Sequence, residues 1–101
     1  MLLYYSMVIE LKNDNLIDYF GDEKVIVVFS STTCRACKEI KPYLHKLPEE
    51  YTVVIVDSIK SMRSVRYYPK TIKYYPTIAL YLNGHFNKEL KQVDIIKQNI
   101  I

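Results

Sequence analysis

The stretch VIVVFSSTTCRAC, residues 25–37, carries the clearest structural and chemical signals of this chain. Residues 25–29 are a continuous run of β-branched and aromatic side chains, which is typical of a strand buried on both faces of a parallel sheet. Residues 30–33 are a polar loop. The chain's only two cysteines, Cys34 and Cys37, follow at the start of a lysine-rich helical pattern. The sequence therefore predicts a strand, a short loop and a helix that begins at or beside the first cysteine.

The spacing of the two cysteines has a chemical meaning at a helix start. Residues three apart lie on one face of a helix, so the two sulfurs are close enough for a short disulfide ring. Unpaired backbone N–H groups and the helix dipole favour an anion at Cys34, which lowers the pKa of its thiol. A redox-active dithiol is the interpretation that we adopt. Half a zinc site and two inert thiols are the alternatives; zinc would need a second ligand pair, and His45 and His85 lie in different predicted elements.

Composition and charge limit the classes of function. The chain has 101 residues, half of them hydrophobic, and we expect a single domain over residues 7–101 after a short N-terminal extension, residues 1–6. The formal charge is only +3, and no basic run alternates with aromatic residues, so nucleic acid is not an expected partner. The opening residues lack the pattern of a signal peptide and no segment is long enough to span a membrane, which predicts a cytoplasmic protein.

The hydrophobic pattern along the chain alternates between strand and helix. It predicts strands at 7–11, 25–29, 51–56, 77–82 and 86–90, and helices at about 15–20, 34–47 and 94–101. Residues 58–73 have the least clear pattern: a helix that contains Ile59, Met62, Val65 and Arg66 and is limited by Pro69 is one alternative, and irregular structure is the other. The first helix would be capped by Asn13, Asp14 or Asn15. The predicted apolar faces are Ile40, Tyr43, Leu44 and Leu47 in the second helix and Val93, Ile96 and Ile100 in the last.

Four features in this order resemble the thioredoxin family over residues 7–101. They are the CxxC after the second strand, Pro42 in the helix that follows, Tyr75-Pro76-Thr77 before a hairpin, and Asn83-Gly84 at the hairpin turn. The resemblance implies an α/β thioredoxin fold, in which a central mixed β-sheet of four to five strands is flanked by helices on both faces. It also implies a cis peptide bond before Pro76, since X-Pro is the one linkage where cis is cheap.

The function implied by the resemblance is a protein-disulfide oxidoreductase. Cys34 and Cys37 would be the catalytic residues and would form the redox disulfide. Thr33, Arg35, Tyr75 and Pro76 would bind the substrate, with the backbone of Tyr75 pairing to an extended segment beside Cys34. The expected partners are disulfide-containing proteins and either a thioredoxin reductase or a small-thiol reductant. No metal or organic cofactor is implied, and a monomer is expected.

Several positions depart from the family pattern. Thr33 stands where thioredoxins usually carry Trp, Val28 stands where many carry a buried acid, and Arg35-Ala36 replaces Gly-Pro and adds a cation near the thiolate. Two alternatives stay open: a glutaredoxin-like enzyme that uses glutathione, and a non-catalytic binding module with the same fold. The tyrosines near the proline are expected to be part core and part docking surface: Tyr67, Tyr68, Tyr74 and Tyr75. The two histidines are expected to be solvated.

Overall fold

A computed structural model describes residues 5–100 of the chain, which form a five-stranded sheet with helices on both faces. Across the sheet the strands follow the order β1 (Met7–Glu10), β3 (Thr52–Asp57), β2 (Lys24–Ser30), β4 (Thr77–Leu82) and β5 (His85–Leu90). The first three are parallel, β4 is antiparallel to β2, and β5 is antiparallel to β4. The mixed sheet predicted from the sequence is therefore confirmed. In chain order the elements are β1 (Met7–Glu10), a 3₁₀ helix (Leu16–Tyr19), β2 (Lys24–Ser30), α1 (Arg35–Leu44), β3 (Thr52–Asp57), α2 (Met62–Val65), β4 (Thr77–Leu82), β5 (His85–Leu90) and α3 (Gln92–Ile96).

Strand β2 lies at the centre of the sheet and is buried on both faces, as its sequence predicts. Successive side chains of a strand point to opposite faces. Ile26 and Val28 accordingly pack into the core layer that contains Ile40 of α1 and Ile95 of α3. Residues on the alternate positions, ending with Phe29, pack into the second layer with Leu16 and Tyr68. The strand thereby supplies apolar side chains to both layers and holds the loop that follows it.

The predicted first helix is wrong in kind. Only a four-residue 3₁₀ helix forms at Leu16–Tyr19, and the side chain of Asn15 makes no cap hydrogen bond. The Asp14 carboxylate instead accepts hydrogen bonds from the backbone N–H groups of Arg63 and Ser64, at 3.0 and 2.8 Å. These donors belong to the first turn of α2, 49 and 50 residues away along the chain. A side chain that looked like a local cap therefore ties two distant segments together.

The apolar face of α1 is narrower than predicted. The helix ends at Leu44, three residues before the predicted end, and contains Pro42 as expected. Leu44 is fully buried, as is Leu47 beyond the helix, but the Tyr43 side chain is 37% exposed. Tyr43 therefore lies at the edge of the predicted apolar face and is not buried with the rest of it.

The end of the chain differs from its predicted pattern. Helix α3 begins at Gln92 and ends at Ile96, two residues before the predicted start and five before the predicted end. Val93 and Ile96, which were predicted to form the apolar edge of this helix, are each 45% exposed, whereas Ile95 is fully buried. Ile100, the third residue of the predicted apolar edge, is buried, and the chain reaches it after Gln98, which has a positive φ of 56°. Residue 101 lies outside the described residues.

Part of the predicted N-terminal extension contacts the end of α1. Ser6 is buried; its hydroxyl donates to the carbonyl of Leu44 at 3.0 Å, and its N–H donates to the carbonyl of Leu47 at 2.7 Å. Tyr5 forms an isolated antiparallel bridge with Pro48. Residues 1–4 of the predicted extension lie outside the described residues. Ser6 thus binds carbonyl groups at and just beyond the C-terminus of α1, the helix that Cys34 caps at its other end.

The hairpin between β4 and β5 forms where the sequence predicts it. Asn83 and Gly84 both have positive φ, 51° and 80°. A two-residue hairpin loop needs this backbone conformation at both positions, and Asn-Gly is the pair that adopts it most readily. The turn sets the first pairs between β4 and β5, Leu82 with His85 and Tyr81 with Phe86, and the register then shifts by one residue between Tyr81 and Leu80.

Candidate active site

Cys34 caps the helix that it precedes. It is the N-cap of α1, and its Sγ accepts a hydrogen bond from the backbone N–H of Cys37 at 3.0 Å. The two cysteines form a disulfide, with their Cα atoms 5.3 Å apart. The N-cap is where free backbone N–H groups and the positive end of the helix dipole stabilise an anion. The same geometry would stabilise a thiolate on Cys34 once the disulfide is reduced.

The proline loop is brought to the cysteines by the register between β2 and β4. Phe29, near the end of β2, is paired with Thr77, the first residue of the antiparallel strand β4. The loop that leaves β2 toward Cys34 and the loop that enters β4 through Pro76 therefore meet at one edge of the sheet. The Tyr75–Pro76 peptide bond is cis, as predicted. The Thr77 hydroxyl donates to the carbonyl of Tyr74 at 2.6 Å and closes this loop.

The predicted substrate-binding residues differ in exposure. Thr33 is exposed, Tyr75 is 38% exposed and Pro76 is buried. The side chain of Arg35 is 93% exposed, and its Nε lies 3.3 Å from a carboxylate oxygen of Glu39 one turn further along α1. The charge of this exposed side chain is screened by water and paired with Glu39, whereas the backbone N–H of Cys37 bonds directly to the Sγ of Cys34 and would stabilise a thiolate there.

The strand position of the family's buried acid is apolar in this protein. Val28 is 1% exposed, and its register partners are Ile55 in β3 and Ile78 in β4. An ionised carboxylate at this position would be surrounded by hydrocarbon without a partner, which is costly. Any group that takes a proton from Cys37 must therefore lie elsewhere.

A cleft of about 550 Å³ that contains several charged and polar side chains opens beside Cys37, and sequence analysis missed it. Its lining includes Ser30, Ser61 and Asp57. Asp57 follows the apolar run of β3 and is in register with Ser30, because β2 and β3 are parallel neighbours that end at the same edge. The sequence signal that could have identified Asp57 is an acid directly after the apolar run of a strand predicted to lie beside the strand that precedes the CxxC. The cleft is hereafter called the Cys37 cleft.

The four tyrosines near the proline loop are divided between core and surface, as the sequence predicts. Tyr68 is buried, at 6% exposure, whereas the other three are between 38% and 57% exposed: Tyr67, Tyr74 and Tyr75. The hydroxyls of Tyr68 and Tyr74 donate to the two carboxylate oxygens of Glu89 in β5. Burial, and then the hydrogen bond to Glu89, raise the pKa of Tyr68 to about 12. Glu89, which sequence analysis also missed, thus links β5 to the segment before Pro76.

A loss of stability at alkaline pH is expected from Tyr68. The folded protein holds the hydroxyl proton more tightly than the unfolded chain, in which the pKa is near 10. The stabilisation is therefore complete below about pH 10 and is lost as the pH rises toward about 12. Tyr68→Phe should lower the free energy of unfolding at neutral pH, where the bond to Glu89 is lost, and should flatten its decline above pH 10.

Urea unfolding measured between pH 8 and pH 11.5 checks this expectation. Tyr67→Phe is the matched control, because Tyr67 is exposed and its neighbour Tyr81 bonds to its backbone carbonyl rather than to its hydroxyl. Burial also raises the pKa of Tyr81, so some alkaline decline should remain in both variants. Identical pH slopes for the Tyr68 variant and the parent protein would contradict the assignment.

The remaining candidate residues are not gathered into a site. His45 and His85 are exposed, in agreement with the sequence analysis. Within residues 5–100, no group of three or more His, Cys, Asp or Glu side chains is placed to hold a metal ion. In the same part of the chain, no helix has the length and apolar character needed to cross a membrane.

A sheet with this strand order, a CxxC disulfide at a helix start and a cis-proline loop beside it define a protein of the thioredoxin-fold class. The thioredoxin family model matches residues 7–100, which is almost the whole chain. The chain therefore belongs to the thioredoxin family.

Individual relatives agree with this assignment. Human thioredoxin is 51% identical over 39 residues, which is 39% of this chain and only 37% of the human protein. Putative thioredoxin-4 of Dictyostelium discoideum is 32% identical over 83 residues, covering 77% of this chain and 76% of that protein. The crystal structure of Schistosoma mansoni thioredoxin superposes with a TM-score of 0.70 at 30% identity, over 92% of this chain and 95% of the other.

Proposed function

We propose that this protein is a thiol–disulfide oxidoreductase that reduces or exchanges disulfides in protein substrates through Cys34 and Cys37. The observation that carries the proposal is the cysteine pair itself: Cys34 at the N-cap of α1 accepts the N–H of Cys37 and forms a disulfide with it. The cis Tyr75–Pro76 loop at the same sheet edge and membership of the thioredoxin family support it. Family membership also favours this reading over a glutaredoxin-like enzyme.

The proposed reaction is two successive thiol–disulfide exchanges. The Cys34 thiolate of the reduced protein attacks one sulfur of a substrate disulfide, forming a mixed disulfide and releasing the other substrate sulfur as a thiolate. Cys37 then loses its proton and attacks the Sγ of Cys34, which forms the Cys34–Cys37 disulfide and releases the second substrate sulfur. Two electrons pass from the protein dithiol to the substrate. The reverse sequence oxidises a substrate dithiol.

The substrate would bind across the proline loop. Tyr75 would offer its backbone N–H and C=O to an extended substrate segment, in the way that a strand is added to a sheet edge. Thr33 and Arg35 are the exposed sequence neighbours of Cys34, and Pro76 is the buried residue that follows Tyr75. These four residues are proposed to position the substrate disulfide at Cys34.

The proposed partners follow from this chemistry. Disulfide-containing proteins are the substrates, and a thioredoxin reductase or a small thiol returns two electrons to the Cys34–Cys37 disulfide. We place this electron transport in the cytoplasm, where thiol reductants keep such a dithiol reduced. The monomer acts alone in this scheme, because both cysteines and the proline loop come from one chain.

The reactivity of Cys34 provides a direct test. Because its Sγ accepts the N–H of Cys37 at the helix start, the pKa of the Cys34 thiol should lie well below the unperturbed value of ~8.5. Alkylation rates measured against pH in Cys37→Ser report Cys34 alone, and those in Cys34→Ser report Cys37 alone. We expect the profile of Cys34 to be the more acidic of the two. Coincident profiles centred near 8.5 would favour a non-catalytic binding module with idle thiols.

A further inference from the structure

The Cys37 cleft contains the charged groups that can exchange protons or interact electrostatically with Cys37. Its volume of about 550 Å³ is large enough for several waters. The charged side chains in its lining come from four parts of the fold: β1 with the two residues after it, α1, the end of β3, and the loop that follows β3. They are Glu10, Lys12, Lys38, Lys41, Asp57 and Lys60. Ammonium groups have no acceptor site, so only Glu10 and Asp57 can take a proton.

Asp57 is held rigidly at the end of β3. Its Oδ1 accepts hydrogen bonds from the N–H groups of Ile59 and Lys60, at 3.0 and 3.1 Å. Its carbonyl accepts the N–H of Ser61 at 2.8 Å, and the strand pairing places it opposite Ser30. Both side-chain bonds use Oδ1, and Oδ2 takes no part in them. The carboxylate is therefore oriented by backbone while one oxygen remains for another partner.

Among the described residues, the Glu10 carboxylate, unlike that of Asp57, is neither oriented by backbone N–H groups nor free of a charged partner. The Glu10 carboxylate is paired with the Nζ of Lys41 at 3.3 Å, and its side chain is 63% exposed. No described backbone N–H group orients it. Asp57 is thus the carboxylate of the Cys37 cleft whose position is set by the fold.

We propose that Asp57 accepts the Cys37 proton, relayed by water in the Cys37 cleft, when Cys37 resolves the mixed disulfide. This inference rests on the proposed function. In the step, the Cys37 S–H bond breaks and its proton passes to Asp57; the Cys37 sulfur forms a bond to Cys34, and the bond from Cys34 to the substrate sulfur breaks. The departing substrate thiolate then takes a proton from Asp57 or from solvent. Val28 is apolar and cannot accept the Cys37 proton, so the acceptor must be a group outside β2.

Whether the loss of the Asp57 carboxylate slows or speeds resolution of the mixed disulfide distinguishes a proton acceptor from a group that acts only through its negative charge. Removing the negative charge of Asp57 would, on its own, make a nearby thiolate easier to form and would speed resolution at neutral pH. Removing a proton acceptor slows resolution instead, and the loss disappears at high pH, where hydroxide deprotonates Cys37. A positioned general base typically contributes 10²–10⁴-fold, and relay through water places the expected loss at about tenfold to a hundredfold.

The test is a single-turnover measurement from pH 5 to pH 10 on Asp57→Asn. The reduced protein is mixed with a disulfide-bonded protein substrate, and release of the second substrate thiol is followed. Asparagine keeps an oxygen acceptor for the Ile59 and Lys60 N–H groups, and Asp57→Ser is a second variant that keeps an acceptor for this turn. Glu10→Gln is the matched control in the same cleft. Mixed-disulfide formation is measured separately in the Cys37→Ser background, where Asp57→Asn should leave its rate unchanged.

At neutral pH we expect both Asp57 variants to resolve the mixed disulfide about tenfold to a hundredfold more slowly than the parent protein. At alkaline pH their resolution rates should converge with the parent rate. Glu10→Gln should have the parent rate throughout. A resolution rate that is unchanged or faster at neutral pH in the Asp57 variants would overturn the assignment. An equal loss in Glu10→Gln would overturn it as well. If Cys37→Ser forms no mixed disulfide at all, the proposed function fails together with this inference.

Discussion

Cys34→Ser is expected to reduce the turnover of a protein disulfide to the uncatalysed rate, a loss of at least about a thousandfold, because the variant has no thiolate to attack with. A serine hydroxyl does not ionise near neutral pH, whatever stabilisation the N–H of Cys37 offers at the helix start. The measurement is the loss of disulfides in a protein substrate, with a small dithiol as the reductant. Retained turnover in Cys34→Ser would exclude the mechanism proposed above.

Cys37→Ser is the matched control for this result, because the two cysteines have different proposed roles. This variant should also lose turnover, but it should accumulate a stable mixed disulfide between Cys34 and the substrate, since no second thiol is present to resolve it. Mass spectrometry of the trapped adduct locates the bond. An adduct that forms on Cys37 of the Cys34→Ser protein at a similar rate would show that the assignment of the two roles is reversed.

Leu44→Ala is expected to lower the free energy of unfolding by about 2–5 kcal/mol, the usual cost of leaving a cavity in a packed core. Leu44 is fully buried in the last turn of α1 and belongs to the same core layer as Ile26 and Ile95. Domains of this size are usually stable by 5–15 kcal/mol, so a large part of the total would be lost. Urea denaturation followed by circular dichroism measures the change.

Tyr43→Ala is the control for the same helix, one residue earlier. Tyr43 is 37% exposed, and the ammonium group of Lys46 lies 5.8 Å from the centroid of its ring. Its removal should cost less than about 1 kcal/mol, the value of an exposed cation–π contact. Equal losses for the two variants would mean that the buried face of α1 is the wider one predicted from the sequence.

The elements with a strong local pattern were predictable from the sequence. The apolar run of β2, the cysteine spacing at the start of α1 and the Asn83-Gly84 turn each depend on residues close together in the chain. The structure confirms all three. The elements that differed were those whose form depends on distant partners. The segment after Asp14 became a 3₁₀ helix while that carboxylate bonded to Arg63 and Ser64, which no local pattern could indicate.

The sequence by itself determined the fold family and the cysteine pair of the candidate site, because a buried strand, a CxxC and a Tyr-Pro-Thr segment are local signals. Only the tertiary structure decided which further groups lie near them. The register between β2 and β3 places Asp57 beside the Cys37 cleft, and the pairing of β4 with β5 brings Glu89 to Tyr68. Ser30 and Asp57, paired between β2 and β3, are 27 positions apart, and Tyr68 and Glu89 are 21 apart, so a pattern read along the chain contains no information on which of these side chains meet.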